Sequence, residues 1–151
     1  VESAVAIPFL HIVDAAGEAL RRDGRRRVAL LGTQQTMEGS FYPLRLGERY
    51  GIEAIAPDSR GRRRVHAAIR DELVQGIVRP EARDAIGAIV RRVAARGADA
   101  VLLACTELSL LFPGEEPGGA LALPCYDGTR LHAVSAVERA LPAQAGEALA
   151  I

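Results

Sequence analysis

Short apolar runs alternate with segments of helical periodicity along this chain, and the alternation narrows the folds that it can adopt. Three of the runs are residues 27–31, 52–56 and 100–104: the first is apolar after Arg27, Glu53 alone interrupts the second, and the third is apolar throughout. Continuous apolar runs of this length are typical of parallel strands, which are buried on both faces. After Pro80, apolar residues recur at i, i+3 and i+4, as on one face of a helix. The pattern predicts an α/β fold: a doubly wound parallel sheet with helices on both faces.

Two further strands are predicted near the ends of the chain, over residues 5–13 and 121–125. The intervals between strands read as helices, with Asp, Ser or Pro at several starts and Gly at several ends. These helices are expected over residues 15–22, 37–50, 58–76, 80–97 and 129–141, with a short one starting at residue 106.

The composition indicates an ordinary folded domain. The chain has 151 residues, of which 49% are hydrophobic and 25% charged, with a formal net charge of zero. Arginine clusters at residues 25–27 and 62–64 are interpreted as solvated ends of helices, because acidic residues balance them and aromatic residues are few. We therefore expect no nucleic-acid partner. The apolar runs are too short to cross a bilayer and no signal peptide is seen, so no membrane partner is expected.

The cysteine content limits the covalent and metal chemistry that can be expected. Cys105 and Cys125 are too few for a disulfide scaffold, and no Cys/His spacing typical of a metal site accompanies them. A reduced, cytoplasmic protein without a metal site is the prediction.

Three segments that follow predicted strands are the candidates for chemistry, because ligands of such sheets bind beyond the carboxyl ends of the strands. They are GTQQTM (residues 32–37), CTE (residues 105–107) and YDGTR (residues 126–130).

Cys105 is the sharpest candidate among them. Its predicted place between a buried strand and a helix start should lower its pKa below the ordinary value of about 8.5. A thiol titrating near neutral pH is suited to moving a proton to and from carbon. Thr106 and Glu107 add a hydroxyl and a carboxylate beside it. The alternative, on position alone, is a buried core cysteine.

The sequence leaves two roles open for Thr33 and Thr36, and it favours a structural role for Cys125. The two threonines can cap the helix that follows, or their hydroxyls can bind a carboxylate at its start. Cys125, near the end of a predicted strand, is interpreted as a packing residue.

Taken together, five ordered segments resemble the aspartate/glutamate racemase family of amino-acid racemases. CTE after an apolar strand is the most specific of the matches, because Glu107 replaces the His of the CTH motif of glutamate racemases. The segments are IPFLHIVDA (residues 7–15), LLGTQQTMEGSFY (30–42), DELVQGIV (71–78), VLLACTEL (101–108) and YDGTRLHAVSAVERAL (126–141).

The resemblance implies a mechanism without pyridoxal phosphate, metal or nucleotide, in which two cysteines face each other across the α-carbon of the substrate. Cys105 matches the second of these cysteines, and Thr106 matches a ligand of the substrate carboxylate. Thr33 and Thr36 fall on a segment that lines the site, and Glu107 is expected to contact the thiol or the substrate amine. The implied partner is a small amino acid of the dicarboxylate type, and relatives are commonly homodimers.

The same resemblance implies a division of the chain. Residues 1–25 would be the tail of an N-terminal lobe, residues 26–124 a C-terminal α/β lobe, and residues 125–151 a strand end and helix returning to the first lobe. The family's other cysteine, in a CNT-type motif, would lie upstream of residue 1. The chain alone is therefore expected to be inactive.

Two alternatives accompany the racemase interpretation. A hydantoin racemase, maleate isomerase or arylmalonate decarboxylase would share the architecture, although CTE argues against them. A non-catalytic α/β module that only binds a small carboxylate, or a truncated inactive product, is the second.

Overall fold

The computed structural model describes residues 6–114 and 120–141, and these form an α/β fold around one parallel sheet. The sheet has four strands in the order β2-β1-β3-β4. The strands are β1 (Arg27–Leu31), β2 (Glu53–Ile55), β3 (Ala100–Leu103) and β4 (Cys125–Asp127). The helices are α1 (Ile12–Arg22), α2 (Gln34–Glu38), α3 (Phe41–Tyr50), α4 (Ser59–Asp71), α5 (Pro80–Ala94), α6 (Leu108–Leu111) and α7 (Gly128–Ala140), and Leu73–Gln75 form a 3-10 turn.

The two faces of the sheet carry two separate apolar cores, as the doubly wound prediction requires. Along β1 and β3 successive side chains point to opposite faces. Leu30 and Leu102 pack with α1 and α3 on one face. Leu31 and Leu103 pack with α4, α5 and α6 on the other. The predicted parallel sheet with helices on both faces is therefore confirmed.

Several helix ends follow from the residues that the sequence places there. Asp58 caps α4 by accepting a hydrogen bond from the Gly61 backbone N–H at 2.7 Å. Pro80 occupies the first turn of α5, where its missing N–H is not needed. Gly51 ends α3 with φ of 67°, a left-handed conformation that glycine adopts without strain.

The strand predicted over residues 5–13 is wrong in the part that the structure describes. Residues 6–10 form no strand, and Ile12 and Val13 already belong to α1. The His11 ring caps that helix, its Nδ1 accepting from the Val13 N–H at 3.2 Å. Ile7 stays 74% exposed, so apolar composition alone did not indicate burial here.

Two other predicted elements need correction. The last strand begins at Cys125 rather than residue 121, because Ala122 has φ of 56° and cannot extend a ladder. The single helix predicted over residues 37–50 is two helices, α2 and α3. Gly39 separates them with an extended ψ of 160°.

The first helix is joined to the rest of the described fold by charge as well as by packing. Asp14 of α1 accepts hydrogen bonds from Arg45 of α3 at 2.6 and 2.7 Å, and from Arg49 at 3.1 Å. The hydrogen bond from Arg45 is the main reason that the pKa of Asp14 is lowered. The predicted division of the chain at residue 25 stays a prediction.

Candidate active site

Two glycines bring the segments after β1 and β4 against the end of β3. A Cβ atom added to Gly32 would lie 3.1 Å from the Ala104 carbonyl oxygen, and one added to Gly128 would lie 2.9 Å from that of Leu103. Main chain therefore packs directly on main chain at the carboxyl edge of the sheet. The three segments predicted to carry chemistry meet at this edge.

A small pocket of about 220 Å³ opens beside the end of β3. Its wall combines that strand end with the starts of α1 and α7. The polar side chains on it are one thiol and two threonine hydroxyls. The lining residues are Ile12, Leu103, Ala104, Cys105, Thr106, Gly128 and Thr129.

One carboxylate oxygen organises the CTE motif. The Cys105 thiol donates a hydrogen bond to Glu107 Oε2 at 2.9 Å, and Thr106 Oγ1 donates to the same oxygen at 2.8 Å. Cys105 and Glu107 are half-buried, whereas Thr106 is exposed. The thiol proton is therefore held by a charged acceptor at the rim of the core, and the same acceptor holds the hydroxyl of the solvent-exposed Thr106.

The prediction that this setting lowers the pKa of Cys105 is wrong. Burial, followed by the hydrogen bond to Glu107, raises the pKa of Cys105 to about 11. Desolvation disfavours the thiolate, and a carboxylate that accepts the thiol proton favours the neutral form. A backbone N–H at Glu107 acts in the opposite direction but is outweighed. The α6 helix begins only at Leu108 and has four residues, so the expected helix start at residue 106 is absent.

Glu107 shows the complementary change. The hydrogen bond from Cys105, and after it the one from Thr106, lowers the pKa of the Glu107 carboxyl. The pair is thus held as a neutral thiol beside an ionised carboxylate at neutral pH.

The hydroxyls of Thr33 and Thr36 form hydrogen bonds within their own segment. Thr33 Oγ1 caps α2 by accepting from the Thr36 N–H at 3.3 Å, and the two hydroxyl oxygens lie 3.0 Å apart. The capping interpretation is therefore correct for Thr33. Neither side chain lines the pocket beside Cys105. Gly32, against the Ala104 carbonyl, is what connects their segment to the end of β3.

Cys125 lies away from this pocket. In the parallel register Cys125 pairs with Val101, four residues before Cys105. Four residues of strand span about 13 Å. Cys125 is half-buried and packs against the core that α4 and α5 cover. Its packing interpretation is confirmed, and neither cysteine forms a disulfide.

Four residues at or near the site were not singled out from the sequence. Ile12, Gly128 and Thr129 line the pocket, although YDGT was noted as a post-strand segment. Buried Tyr42 lies near enough that the charge of Cys105, after burial, helps to raise its pKa. The predicted parallel sheet indicated residues 128 and 129, because they follow a strand. The approach of α1 and α3 to Cys105 is a tertiary contact, and no local sequence pattern predicts it.

Over the described ranges no three His, Cys, Asp or Glu side chains are grouped so as to hold a metal ion. The helices of that same part of the chain are too short or too polar to span a bilayer.

Comparisons with known proteins place the chain beside amino-acid racemases. Residues 1–136 match the family model described as Asp/Glu/Hydantoin racemase. A Yersinia pestis protein studied as a candidate Asp/Glu racemase is 37% identical, with a TM-score of 0.84, over 93% of this chain and 60% of that one. An aspartate racemase homologue from Pyrococcus horikoshii OT3 is 29% identical, with a TM-score of 0.80, over 92% of this chain and 59% of that one.

A third solved structure has the same fold at lower identity. The aspartate racemase of Picrophilus torridus is 24% identical, with a TM-score of 0.63, over 87% of this chain and 52% of that one. The chain thus spans about 60% of the length of the first two solved relatives.

Proposed function

Because the chain belongs to the Asp/Glu/Hydantoin racemase family, we propose that it carries one half of an amino-acid racemase site, with Cys105 as one of two groups that exchange a proton with the α-carbon. The observation that carries the proposal is the Cys105 thiol, hydrogen-bonded to Glu107 at 2.9 Å at the end of β3. Parallel α/β sheets place their chemistry at this edge.

The protonation state of the thiol gives Cys105 a definite starting role. With a pKa of about 11, Cys105 is a neutral thiol at pH 7. In one direction of the reaction a base on the opposite face removes the α-proton, and the S–H bond of Cys105 breaks to give its proton to the carbanion. In the reverse direction the resulting thiolate takes the α-proton back, which restores the thiol. The proposal requires no cofactor.

Glu107 is a positioning residue in this proposal. Its carboxylate fixes the direction of the thiol and keeps the proton on sulfur until the carbanion forms. A base and an acid matched across the α-carbon are what general acid–base catalysis needs.

The substrate carboxylate is proposed to bind at the hydroxyl side of the pocket. Thr106 is exposed and lines the pocket beside the thiol, and Thr129 lines it from the start of α7. Hydroxyl donors near the carboxylate stabilise the charge that develops when the α-proton leaves. Thr33 and Thr36 are proposed to line the outer part of the site, on the segment that Gly32 brings to β3. An amino acid of the aspartate or glutamate type is the proposed substrate.

Cys125 does not supply the second base of this proposal. It lies about 13 Å along the strand from Cys105, by the pairing of Cys125 with Val101. Within the described residues no other thiol lies at the pocket. We propose that the opposing base belongs to the part of the relatives' fold that this chain does not span.

The test is exchange of the α-proton of aspartate and glutamate with deuterium in D2O, followed by proton NMR with the full-length protein. Cys105→Ser should lower exchange by about 10²–10⁴-fold, because one of the two proton-transfer groups is removed. Cys125→Ser is the matched control, since it changes the other half-buried cysteine.

The contrast between the two variants decides the assignment. Loss of exchange in Cys105→Ser, with less than about a twofold change in Cys125→Ser and unchanged melting temperatures, supports it. Equal exchange by wild type and Cys105→Ser overturns it. Binding of aspartate by the wild-type protein without any exchange would instead favour the non-catalytic carboxylate-binding module.

A further inference from the structure

A groove that shares no lining residue with the Cys105 pocket concentrates positive charge. It runs between the first turns of α4 and the second half of α5, in two adjoining parts of about 300 and 570 Å³. Volumes of about 300–1,000 Å³ are typical of small-molecule sites. We call it the arginine groove. Its charged lining residues are Arg60, Arg62, Arg64, Arg92, Arg96 and Asp58.

The charge of the groove is not a reflection of the whole chain. The sequence has 19 basic and 19 acidic residues, hence a formal net charge of zero. The groove has five arginines and one aspartate on its lining. A local excess of this kind attracts anions even when the protein as a whole is neutral.

Three of the arginines are already engaged. Arg62 donates to Glu38 at 3.0 Å and to the Pro57 carbonyl at 2.8 Å. Arg64 donates to Glu72 at 3.2 Å. Arg96 donates to a backbone carbonyl, that of residue 56, at 2.9 Å. These contacts hold the walls of the groove in place.

The remaining two arginines keep most of their donors available. Arg92 donates to the Ala88 carbonyl at 3.3 Å, and neither Arg60 nor Arg92 forms a salt bridge with any residue that the structure describes. Both are close to Asp58, whose carboxylate is committed to the Gly61 N–H as the cap of α4. After the Gly61 N–H, the charges of Arg92 and Arg60 help to lower the pKa of Asp58, so this one carboxylate faces both arginines. One acidic side chain opposite two arginines from different helices leaves an excess of positive charge in this part of the groove.

We propose that the arginine groove binds a multivalent phosphate anion between Arg60 and Arg92. Guanidinium groups match phosphate oxygens with paired, charge-assisted hydrogen bonds. The inference is independent of the proposed racemase function.

Isothermal titration of the full-length protein with inorganic tripolyphosphate at low ionic strength tests this site. Saturable binding is expected, with an affinity that falls as salt rises. The double variant Arg60→Gln/Arg92→Gln should weaken binding by at least about tenfold, because two charge-assisted contacts are removed. Cys105→Ala should bind as wild type does, which separates this site from the proposed catalytic pocket.

A matched control removes the same charge elsewhere. Arg22→Gln/Arg139→Gln changes two exposed arginines on α1 and α7 and should leave the affinity unchanged. An adenosine triphosphate titration separates two sources of phosphate: tighter binding than tripolyphosphate identifies a nucleotide, and equal binding identifies a phosphate chain. Absence of saturable binding, equal weakening in both double variants, or equally tight binding of citrate would each overturn the proposal.

Discussion

The two cysteines lie at opposite ends of the neighbouring parallel strands β3 and β4, and the hydrogen bond from Cys105 to Glu107 sets the chemistry of Cys105 apart. Both side chains are half-buried, pack against the same core and line a pocket. Cys105 lies two residues beyond the end of β3, where its thiol donates to the Glu107 carboxylate at 2.9 Å. Cys125 opens β4, where it pairs in register with Val101. Similar burial at the two positions therefore conceals different chemistry.

The difference shows that register decides which side chains reach the carboxyl edge. Because Leu103 pairs with Asp127, it is Gly128 and Thr129, not Cys125, that stand beside Cys105 in the pocket. A shift of the last strand to the predicted residues 121–125 would have placed Cys125 at that edge instead. The observed strand thus assigns the edge of β4 to a glycine and a hydroxyl.

The largest change in stability is expected at Gly128, where the chain packs closely against the end of β3. Gly128→Ala should lower the free energy of unfolding by about 1–3 kcal/mol, because the added Cβ would lie 2.9 Å from the Leu103 carbonyl oxygen. Gly47→Ala is the control, since it lies inside α3 with no atom within 4 Å of the added Cβ. It should be neutral or stabilising by up to about 1 kcal/mol.

Urea denaturation of both glycine variants measures this contrast. Equal stabilities of Gly128→Ala and wild type would mean that the start of α7 does not press on β3. The two strand ends would then be less tightly coupled than the structure indicates.

The next effect concerns the thiol itself. Glu107→Gln removes the carboxylate that, after burial, raises the pKa of Cys105 to about 11. The pKa should fall but stay above the ordinary value of about 8.5, because burial remains. Alkylation by iodoacetamide at pH 8.5, in a Cys125→Ala background, should then become roughly tenfold faster, since each pKa unit changes the thiolate fraction about tenfold.

The pH dependence of alkylation shows directly whether the pKa of Cys105 is raised or lowered. Without the substitution, the rate should still be rising above pH 10, because the thiolate forms only near the raised pKa. A wild-type rate that levels off below pH 9 would contradict the hydrogen bond as the resting state and would restore the prediction made from the sequence.

The smallest expected effect is in the body of β4. The Tyr126 hydroxyl donates to Asp23 at 2.7 Å and accepts from Arg25 at 3.4 Å. Tyr126→Phe should cost about 0.5–1.5 kcal/mol in thermal or urea unfolding, as expected for lost hydrogen bonds. Tyr42→Phe is the comparison. Burial, and after it the charge of Cys105, raises the pKa of Tyr42, and no hydrogen bond contributes to that shift. Loss of the Tyr42 hydroxyl should therefore change the free energy of unfolding by less than about 0.5 kcal/mol. The reverse order would show that β4 is not tied to the segment after α1.

Much of the architecture could be predicted because local signals agree with it. The apolar runs at β1 and β3, the shorter run around β2, the Asp58 cap and Pro80 each act within a few residues of where they stand. The segment over residues 5–13 could not be resolved this way, because an apolar run does not say whether a neighbouring strand is available. The positive φ of Ala122, which delays the last strand, also lacks a sequence signal of its own.

The placement of the CTE side chains was predictable, but their electrostatics were not. The alternation of strands and helices placed residues 105–107 just beyond the carboxyl end of a strand, where the structure has them. The pKa of Cys105 moved in the opposite direction because its sign depends on burial and on the rotamer that brings Glu107 to 2.9 Å. Those are tertiary properties, as is the approach of Tyr42 from α3.

The main-chain contacts at Gly32 and Gly128 limit which substitutions can change the ligand preference of the Cys105 pocket. Gly128 lines the pocket, and a methyl added there would lie 2.9 Å from the Leu103 carbonyl oxygen, while one added to Gly32 in the adjoining segment would lie 3.1 Å from that of Ala104. Substitutions at these two glycines therefore have little freedom to reshape the pocket without moving a strand. Changes of ligand preference by single substitutions are confined to the rim, at positions such as Ile12, Thr106 and Thr129. A directed-evolution library for this scaffold is best built on those three positions, with both glycines held constant.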